Sequence, residues 1–376
     1  MKKFLVLGII LFSLQNNSAF SQRKILGRFF GNENDSTSKG RFIILPALGY
    51  AQETGFEYGL VSLASFYTNK DTVTRNSSIA GLIAFTTKKQ SIITLKPDIW
   101  SKQNRYHYIG DLRYRDFPFN FYGIGDDTHK ADEERITQTL KKVSVEVEKL
   151  MKRGSYTGVN TSYENYKFID KEPGGVYETD QFIHDKDGGA VLFLGVSQII
   201  DSRNSNVYPS RGTYLKLNYS FAPDIFGGEN FTGSTAKLDF RTFKSYNPKT
   251  VLGFNLAYQT IQGSTTPFYL LPQLGNDQVM RGYYTGRYRD RNLLATQIEL
   301  KYRIIPRFGV VGFAGAGSVY NTRINLGNFK PSYGAGIRYF FDTIRGLSLR
   351  IDYAFGEKRS GEERQKGFYI AFGEAF

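Results

Sequence analysis

The chain has 376 residues, a formal net charge of +14 at pH 7 and no cysteine. The lack of cysteine excludes a disulfide framework and a thiolate metal site. A basic protein can bind nucleic acid, but the lysines and arginines here are dispersed along the chain rather than clustered in one patch. We therefore expect no nucleic-acid partner.

The N-terminus has the order of segments that is typical of a secretory signal peptide. Lys2–Lys3 precede the apolar run 4–14, and a small-x-small site at 19–21 follows. The apolar run is too short to span a bilayer. We expect residues 1–21 to be a signal peptide and residues 22–40 to form a short periplasmic segment. An exported basic chain meets anionic outer-membrane lipid and lipopolysaccharide, which are the surfaces we expect it to contact.

The rest of the chain is too polar for membrane helices. It contains no apolar run near the ~20 residues that a membrane helix needs, and the mean hydropathy is −0.37. Transmembrane β-strands need only ~10 residues with every second one apolar, which keeps the mean hydropathy low. The aromatic content of 15% fits the aromatic girdles of such barrels. The composition therefore excludes a helical membrane protein and is compatible with a membrane β-barrel.

Alternation of apolar and polar residues predicts about sixteen strands, an even number as in single-chain bacterial barrels. It is clearest in 213–221, 293–303 and 347–355. The segment 134–150 also contains helix formers, but its alternating valines favour a strand. The predicted strands are 41–50, 55–68, 74–88, 90–101, 104–116, 134–150, 153–169, 189–201, 211–222, 231–246, 249–262, 292–305, 308–320, 332–342, 346–356 and 366–376. The predicted long loops, where Gly, Pro, Asp and Asn cluster, are 117–133, 170–188 and 263–291.

The C-terminus favours a membrane barrel over a soluble β-sandwich, whose strands would also alternate. Phe368, Ile370, Phe372 and the terminal Phe376 share one parity, and a final strand of this kind is typical of outer-membrane barrels. We therefore predict an all-β fold, a transmembrane antiparallel β-barrel that covers residues 41–376 and lies in the cell outer membrane.

Four stretches resemble bacterial surface antigen barrels, the family that includes the BamA and TamA assembly factors and the two-partner secretion transporters. Asp201 and Arg203, followed by Pro209 and Gly212, are similar to the family's strand-turn-strand signature. The other stretches are Met280–Tyr283, which is similar to the lumenal-loop motif, Glu299–Arg303 and Phe313–Gly317. The resemblance implies that the long loop 263–291 folds into the barrel lumen.

The residues of the candidate lumenal-loop motif are Val279, Met280, Arg281, Gly282 and Tyr283. An arginine inside a barrel needs a carboxylate or an aromatic face, because an unpaired charge away from bulk water is costly. Gly315 stands where the family carries the aspartate that pairs with this arginine. The candidate partners that replace it are Glu299, Asp352 and Asp239. The alternative is that Arg281 is a solvated residue of an extracellular loop.

The resemblance implies a barrel that assists the insertion or translocation of other outer-membrane proteins. In the family this involves weak pairing between the first and last strands, here 41–50 and 366–376, and Pro46 and Gly49 would weaken that pairing further. Client outer-membrane proteins, or a periplasmic or lipoprotein partner, are the expected partners. Family members usually carry periplasmic POTRA domains, for which 22–40 is too short, so we expect a barrel-only member. The alternative is a structural or partner-binding barrel subunit, or a narrow pore, without assembly activity.

No group of residues in the sequence indicates catalysis or a metal site. The three histidines, His107, His129 and His184, are far apart and lack a metal-ligand spacing. No set of serine, histidine and carboxylate residues stands out from the background. We expect no enzyme activity, no cofactor and no metal.

Overall fold

The computed structural model describes residues 41–51, 54–69, 71, 73–170, 173–226, 230–343 and 346–376. The predicted signal peptide, 1–21, and the predicted periplasmic segment, 22–40, lie outside the described residues. The strands are β1 (Arg41–Ala51), β2 (Gly55–Phe66), β3 (Ser77–Thr86), β4 (Ser91–Trp100), β5 (Tyr106–Phe121), β6 (Glu134–Lys152), β7 (Ser155–Asp170), β8 (Gly188–Asp201), β9 (Gly212–Ala222), β10 (Gly233–Asn247), β11 (Thr250–Gly263), β12 (Gln273–Leu274), β13 (Tyr288–Arg289), β14 (Asn292–Ile305), β15 (Phe308–Tyr320), β16 (Lys330–Asp342), β17 (Leu347–Phe355) and β18 (Lys366–Phe372). The short helices are Lys102–Asn104, Lys130–Asp132, Val176–Thr179, Phe268–Leu270 and Leu326–Asn328.

Sixteen of the described strands close into one antiparallel barrel. Each strand pairs with the next in sequence, except that β11 pairs with β14 and β18 closes on β1. The short strands β12 and β13 pair with each other inside the long connection between β11 and β14. The predicted fold class is confirmed.

Side-chain alternation determines which face of each strand meets lipid. In β14, Gln297, Glu299 and Lys301 are buried, whereas Ile298 and Leu300 are 45% and 49% exposed. In a closed membrane barrel the buried parity points into the lumen, and the exposed apolar parity points outward to lipid. Within the described residues, no helix has the length and apolar character that crossing a bilayer requires.

Most predicted strand boundaries lie within three residues of those in the structure, and the two with larger errors are the ends of β5 and β18. A loop was expected from residue 117, but β5 continues to Phe121, because Phe117 and Phe121 extend the inward parity and are buried in the barrel. The last strand was expected to run to Phe376, but β18 ends at Phe372. The ambiguous segment 134–150 lies within β6, as its valines predict.

An apolar cluster fills the lumen near the end that carries the long loops, which is the extracellular end in barrels of this type. Phe268 of the connection between β11 and β14 is fully buried at its centre. Its ring centroid lies 4.8 Å from that of Phe168, 5.3 Å from Tyr177 and 5.5 Å from Phe121. These rings come from two strands and two loops, so the cluster joins the barrel wall to its long connections.

We expect Phe268→Ala to lower the free energy of unfolding by about 3–5 kcal/mol, because it leaves a cavity inside this cluster. Phe182 is the matched control, since its side chain is 67% exposed in a neighbouring loop. Phe182→Ala is expected to change the stability by about 0.5 kcal/mol or less. Thermal unfolding in detergent measures both variants, and equal effects would contradict the packing role of Phe268.

Candidate functional site: the lumenal loop and the strand seam

The connection between β11 and β14 folds back into the barrel. Met280, Tyr283 and Tyr288 are fully buried and belong to one apolar cluster with Leu293 of the wall strand β14. Val279 is partly buried and packs against the same cluster. Fully buried aromatic and apolar side chains are not those of a solvated loop. The connection therefore lies in the lumen, and we call it the lumenal loop.

Gly282 permits a close approach of the lumenal loop to the barrel wall. Its φ is +99°, a region that glycine adopts without the steric cost of a side chain. A Cβ at this position would lie 2.9 Å from the backbone carbon of Phe355. The Gly282 N–H donates a 3.0 Å hydrogen bond to the Tyr369 hydroxyl, and the Tyr283 hydroxyl donates one of 2.5 Å to the Pro331 carbonyl. A larger residue at 282 would push the loop away from the wall.

Arg281 is fully buried and contacts two carboxylates. One terminal nitrogen donates a 2.8 Å hydrogen bond to Asp352, and the other contacts Glu299. The guanidinium carbon lies 3.6 Å from the ring centre of Phe313. Burial alone would lower the pKa of Arg281, but the carboxylates of Glu299 and Asp352 outweigh burial and raise its pKa above the ordinary value. The arginine is therefore a buried, charged and well-partnered anchor of the loop.

Asp352 is shared by three arginines. Besides contacting Arg281, it accepts hydrogen bonds of 2.5 Å from Arg338 and 3.3 Å from Arg350. Arg350 also forms an ion pair with Asp277 of the lumenal loop. One carboxylate cannot neutralise three guanidinium groups, so further acids must contribute to the charge balance.

Two further acids, Glu299 and Glu374, contribute to that balance. Glu299 lies 3.5 Å from the Lys301 Nζ, and Glu374 lies 3.4 Å from Lys301 and 3.2 Å from Arg338. Burial alone would raise the pKa of Glu374, but Lys301 and Arg338 outweigh burial and hold its pKa below the ordinary value. We call the whole set the lumenal ion network, and its members are Arg281, Glu299, Lys301, Arg338, Arg350, Asp352 and Glu374.

Asp239 is not a partner of Arg281, although its inward parity made it a candidate. Its carboxylate accepts hydrogen bonds of 2.9 Å from Arg241 and 3.0 Å from Asn255. Asp239 belongs to β10, whereas the two acids that contact Arg281 belong to β14 and β17. Parity predicts that a side chain points inward, but it does not predict the position around the barrel.

Two strands other than β15 supply the acids that contact Arg281. The resemblance places an aspartate at the position of Gly315 in β15, and glycine offers no side chain. In its absence β15 contributes the Phe313 ring that lies against the guanidinium. Glu299 of β14 and Asp352 of β17 supply the negative charge instead.

The predicted strand-turn-strand signature shapes the turn between β8 and β9. Arg203 donates two hydrogen bonds of 3.0 Å to the Asp201 carboxylate, and Pro209 is buried. Gly212 has φ +96°, and a Cβ there would lie 2.3 Å from the Ser202 carbonyl oxygen. The tight backbone approach therefore requires glycine at position 212.

The boundary between β1 and β18, which we call the seam, is paired over a very short length. Among the described residues, Tyr50 and Ile370 are the only pair in register across it. By contrast, β1 pairs with β2 along its whole length, Arg41–Ala51. Beyond β18, Gly373 turns the chain at φ +80°. The seam side of β1 is therefore a strand edge whose backbone groups are available for pairing.

Residues 77–376 match the Omp85 superfamily domain, a match that takes in every barrel strand from β3 to β18. The chain belongs to the Omp85 superfamily. The resemblance to the surface antigen barrels is thereby confirmed, and this Omp85 barrel is an outer-membrane protein. No curated protein sequence matches the chain.

Solved structures share the fold of this Omp85 barrel at low sequence identity. BamA from Haemophilus ducreyi, in a form lacking POTRA domains 1–3, is 12% identical with a TM-score of 0.60, over 90% of this chain and 70% of that one. CdiB from Acinetobacter baumannii is 10% identical with a TM-score of 0.57, over 90% and 60%. CdiB from Escherichia coli is 10% identical with a TM-score of 0.56, over 87% and 62%. The chain thus spans less than two thirds of the two CdiB chains.

His107 is buried, and its surroundings indicate a structural role. Its ring nitrogens lie 2.8 Å from Glu148 and 3.0 Å from Asp98, and the ring stacks on Trp100. Within the described parts of the chain, no group of three or more His, Asp or Glu side chains is arranged to hold a metal ion.

Proposed function

We propose that this Omp85 barrel assists the insertion or translocation of other outer-membrane proteins at the seam. The observation that carries the proposal is that, within the part of the chain that the structure describes, Tyr50 and Ile370 form the single register pair between β1 and β18. An unpaired strand edge can add an incoming strand through main-chain hydrogen bonds. The client would be an outer-membrane protein that is not yet folded and that pairs one of its strands with β1.

The composition of β1 suits weak and reversible pairing at the edge of a lipid-facing wall. Phe42, Ile44 and Leu48 are 68%, 55% and 67% exposed, so they present an apolar outer face. Pro46 has no N–H, so any strand that pairs along β1 loses a possible hydrogen bond there. At Gly49, a Cβ would lie 3.6 Å from the Ile370 carbonyl oxygen, so the two strands are already close at this point.

A second candidate is a plugged structural barrel that binds a partner without handling clients. It is favoured by the apolar cluster that fills the extracellular end and by the lumenal ion network that holds the loop in place. A narrow pore would require the apolar cluster and the lumenal ion network to move out of the lumen. Of the two functions without client handling, the plugged barrel is therefore favoured over the pore.

Depletion of the protein, followed by quantification of the outer-membrane proteome, separates the two functions. A client-handling barrel predicts a broad loss of other outer-membrane barrels. An unchanged proteome would contradict the proposal and favour the plugged structural barrel.

A covalent bridge across the seam is expected to abolish complementation of the depleted cells. The chain has no cysteine, so Tyr50→Cys with Ile370→Cys introduces the only thiols. Complementation should return on reduction, because the bridge prevents β1 from exchanging partners. The control is Leu48→Cys with Tyr58→Cys, a register pair of β1 and β2 that leaves the seam free. Full complementation by the oxidised seam variant would argue against lateral opening.

A further inference from the structure

The outward face of β6 shows where this part of the barrel wall crosses the membrane. Val143 and Val145 are 49% and 46% exposed on the lipid side, and Lys141 and Lys149 flank them on the same parity. From 141 to 149 the strand rises about 26 Å. At the tilt of such strands this is about 20 Å along the membrane normal, close to the height of about 25 Å of the apolar band. The two lysines therefore mark the two headgroup levels.

Tyrosines on β5 mark the same two levels. Tyr114 is in register with Lys141, and Tyr106 is in register with Lys149. Tyr114 is 38% exposed on the lipid side, and outward tyrosines are typical of both membrane–water interfaces. Because β6 begins after the long connection 122–133, Lys141 lies at the extracellular level and Lys149 at the periplasmic level.

A second lysine lies beside Lys141 at the extracellular level. In the register of β6 with β7, Lys141 is opposite Asn165, and Thr139 is opposite Lys167. All four residues have the outward parity, so the lysines occupy one diagonal of a four-residue unit, about 7–8 Å apart. An amide and a hydroxyl occupy the other diagonal. Both lysines are exposed, and neither ammonium has a hydrogen-bond or ion-pair partner among the residues that the structure describes. We call this unit the outward lysine site.

The other charges of outward parity around the outward lysine site leave it positive. Asp116 of β5 is opposite Thr139, but in the described part of the chain it forms no ion pair with either lysine of the site. Arg135 lies further towards the extracellular end of β6 and is exposed. Its guanidinium donates a 2.8 Å hydrogen bond to the Lys88 carbonyl. The site therefore has the charge that attracts an anionic group at the level of the outer-leaflet headgroups.

We propose that the outward lysine site binds a phosphate group of the lipid in the outer leaflet, the lipid A part of lipopolysaccharide. The two ammonium groups share one phosphate, and the amide of Asn165 and the hydroxyl of Thr139 hydrogen-bond to its oxygens. The acyl chains lie along Val143 and Val145, on the membrane side of the lysines. In barrel order, β6 and β7 are the sixth and seventh strands from β1. The site is therefore separate from the seam and does not rest on the proposed function.

Native mass spectrometry of the purified barrel with diphosphorylated lipid A measures this binding. We expect Lys141→Gln with Lys167→Gln to weaken the binding of lipid A about tenfold, because two cations near the headgroups are lost. Lys141→Arg with Lys167→Arg should retain binding, since both charges remain. Lipid A without its phosphates should bind the wild-type barrel no better than diphosphorylated lipid A binds the double glutamine variant. Unchanged affinity in that variant would overturn the proposal.

Lys149→Gln is the matched control. It changes the same residue type on the same face of the same strand, at the periplasmic level. There the outward residues of β7 are Thr157 and Val159, which carry no charge. We expect unchanged binding of lipid A. A loss equal to that of the double glutamine variant would show that any lipid-facing lysine contributes in the same way, and the assignment of the site would be wrong. All these substitutions lie at exposed side chains, and heat-modifiability on gels checks that each variant is folded.

Phosphatidylglycerol carries the same phosphate chemistry and is the second probe. We expect the wild-type barrel to prefer diphosphorylated lipid A, and the double glutamine variant to lose this preference. If phosphatidylglycerol binds the wild-type barrel as tightly as lipid A does, the site does not select the outer-leaflet lipid and the proposal is overturned. Neither probe involves a client or alters the seam, so either result leaves the proposed function to be judged by depletion.

Discussion

Replacing Arg281 by alanine is expected to lower the free energy of unfolding by about 3–5 kcal/mol and to release the lumenal loop. This loss of stability arises because the substitution removes one partner of a buried ion pair and leaves the carboxylates in the barrel without it. Glu299 and Asp352 would keep only their contacts to the other cations of the network. The shift of the barrel's heat-modifiability on gels measures the stability, and protease cleavage between residues 264 and 291 measures the release of the loop.

The control for this prediction must be an arginine that is exposed. Arg287 lies in the same loop but is 1% exposed and ion-paired with Glu362 at 3.0 Å, so its removal would also disturb packing. Arg323 is exposed in the connection between β15 and β16, and Arg323→Ala should leave both measurements unchanged. Arg281→Lys should recover part of the stability, because it keeps the charge but not the planar fork that reaches two carboxylates. Equal behaviour of Arg281→Ala and Arg323→Ala would mean that Arg281 does not anchor the loop.

The strands of the barrel could be predicted because the signal for each is local. Alternation of apolar and polar residues with a period of two identifies the lipid face of a strand without knowledge of the neighbouring strands. The same alternation predicts a strand in 134–150, although that segment also contains helix formers. It also assigned Glu299 and Asp352 to the lumen, where the structure places them beside Arg281. The prediction needed two premises: the resemblance, which implies that the loop enters the lumen, and the rule that a buried cation requires an acid.

Position around the barrel could not be predicted in the same way. Asp239 has the same inward parity as Asp352, yet it lies on β10 with its own partners, Arg241 and Asn255. The distance between inward side chains depends on the order of the strands and on their stagger. The pattern of apolar and polar residues in one strand gives no information about either. The segment 117–121 belongs to a predicted loop because Pro and Asn occur in it, and only the burial of Phe117 and Phe121 in the structure shows that the strand continues.

The residues after β18, 373–376, show a different limit. The parity of Phe368, Ile370, Phe372 and Phe376 predicts a strand as far as residue 376. In the structure Gly373 turns the chain at φ +80°, and Glu374 contacts Lys301 and Arg338 in the lumen. The pattern predicts that Phe376 lies on the lipid face, whereas the structure buries its side chain against Phe243 in the lumen.

Asp352→Asn is expected to destabilise the barrel more than the same change at any other acid considered for Arg281. The substitution keeps the size of the side chain but removes the charge shared by Arg281, Arg338 and Arg350, so three buried cations lose an acid at once. Loss of a partner from a buried ion pair costs about 3–5 kcal/mol. Thermal unfolding of the purified barrel in detergent is the measurement.

Asp239→Asn is the matched control for this change, because it alters the same functional group at a lumenal acid whose side chain is 33% exposed. Its pair with Arg241 is partly solvated, so we expect a loss of about 1 kcal/mol or less. A double-mutant cycle with Arg281→Ala should give a coupling energy of about 0.5–3 kcal/mol for Asp352 and none for Asp239. If the two aspartates show the same coupling to Arg281, the negative charge of the lumen as a whole holds the loop, and the specific contact of Arg281 with Asp352 does not.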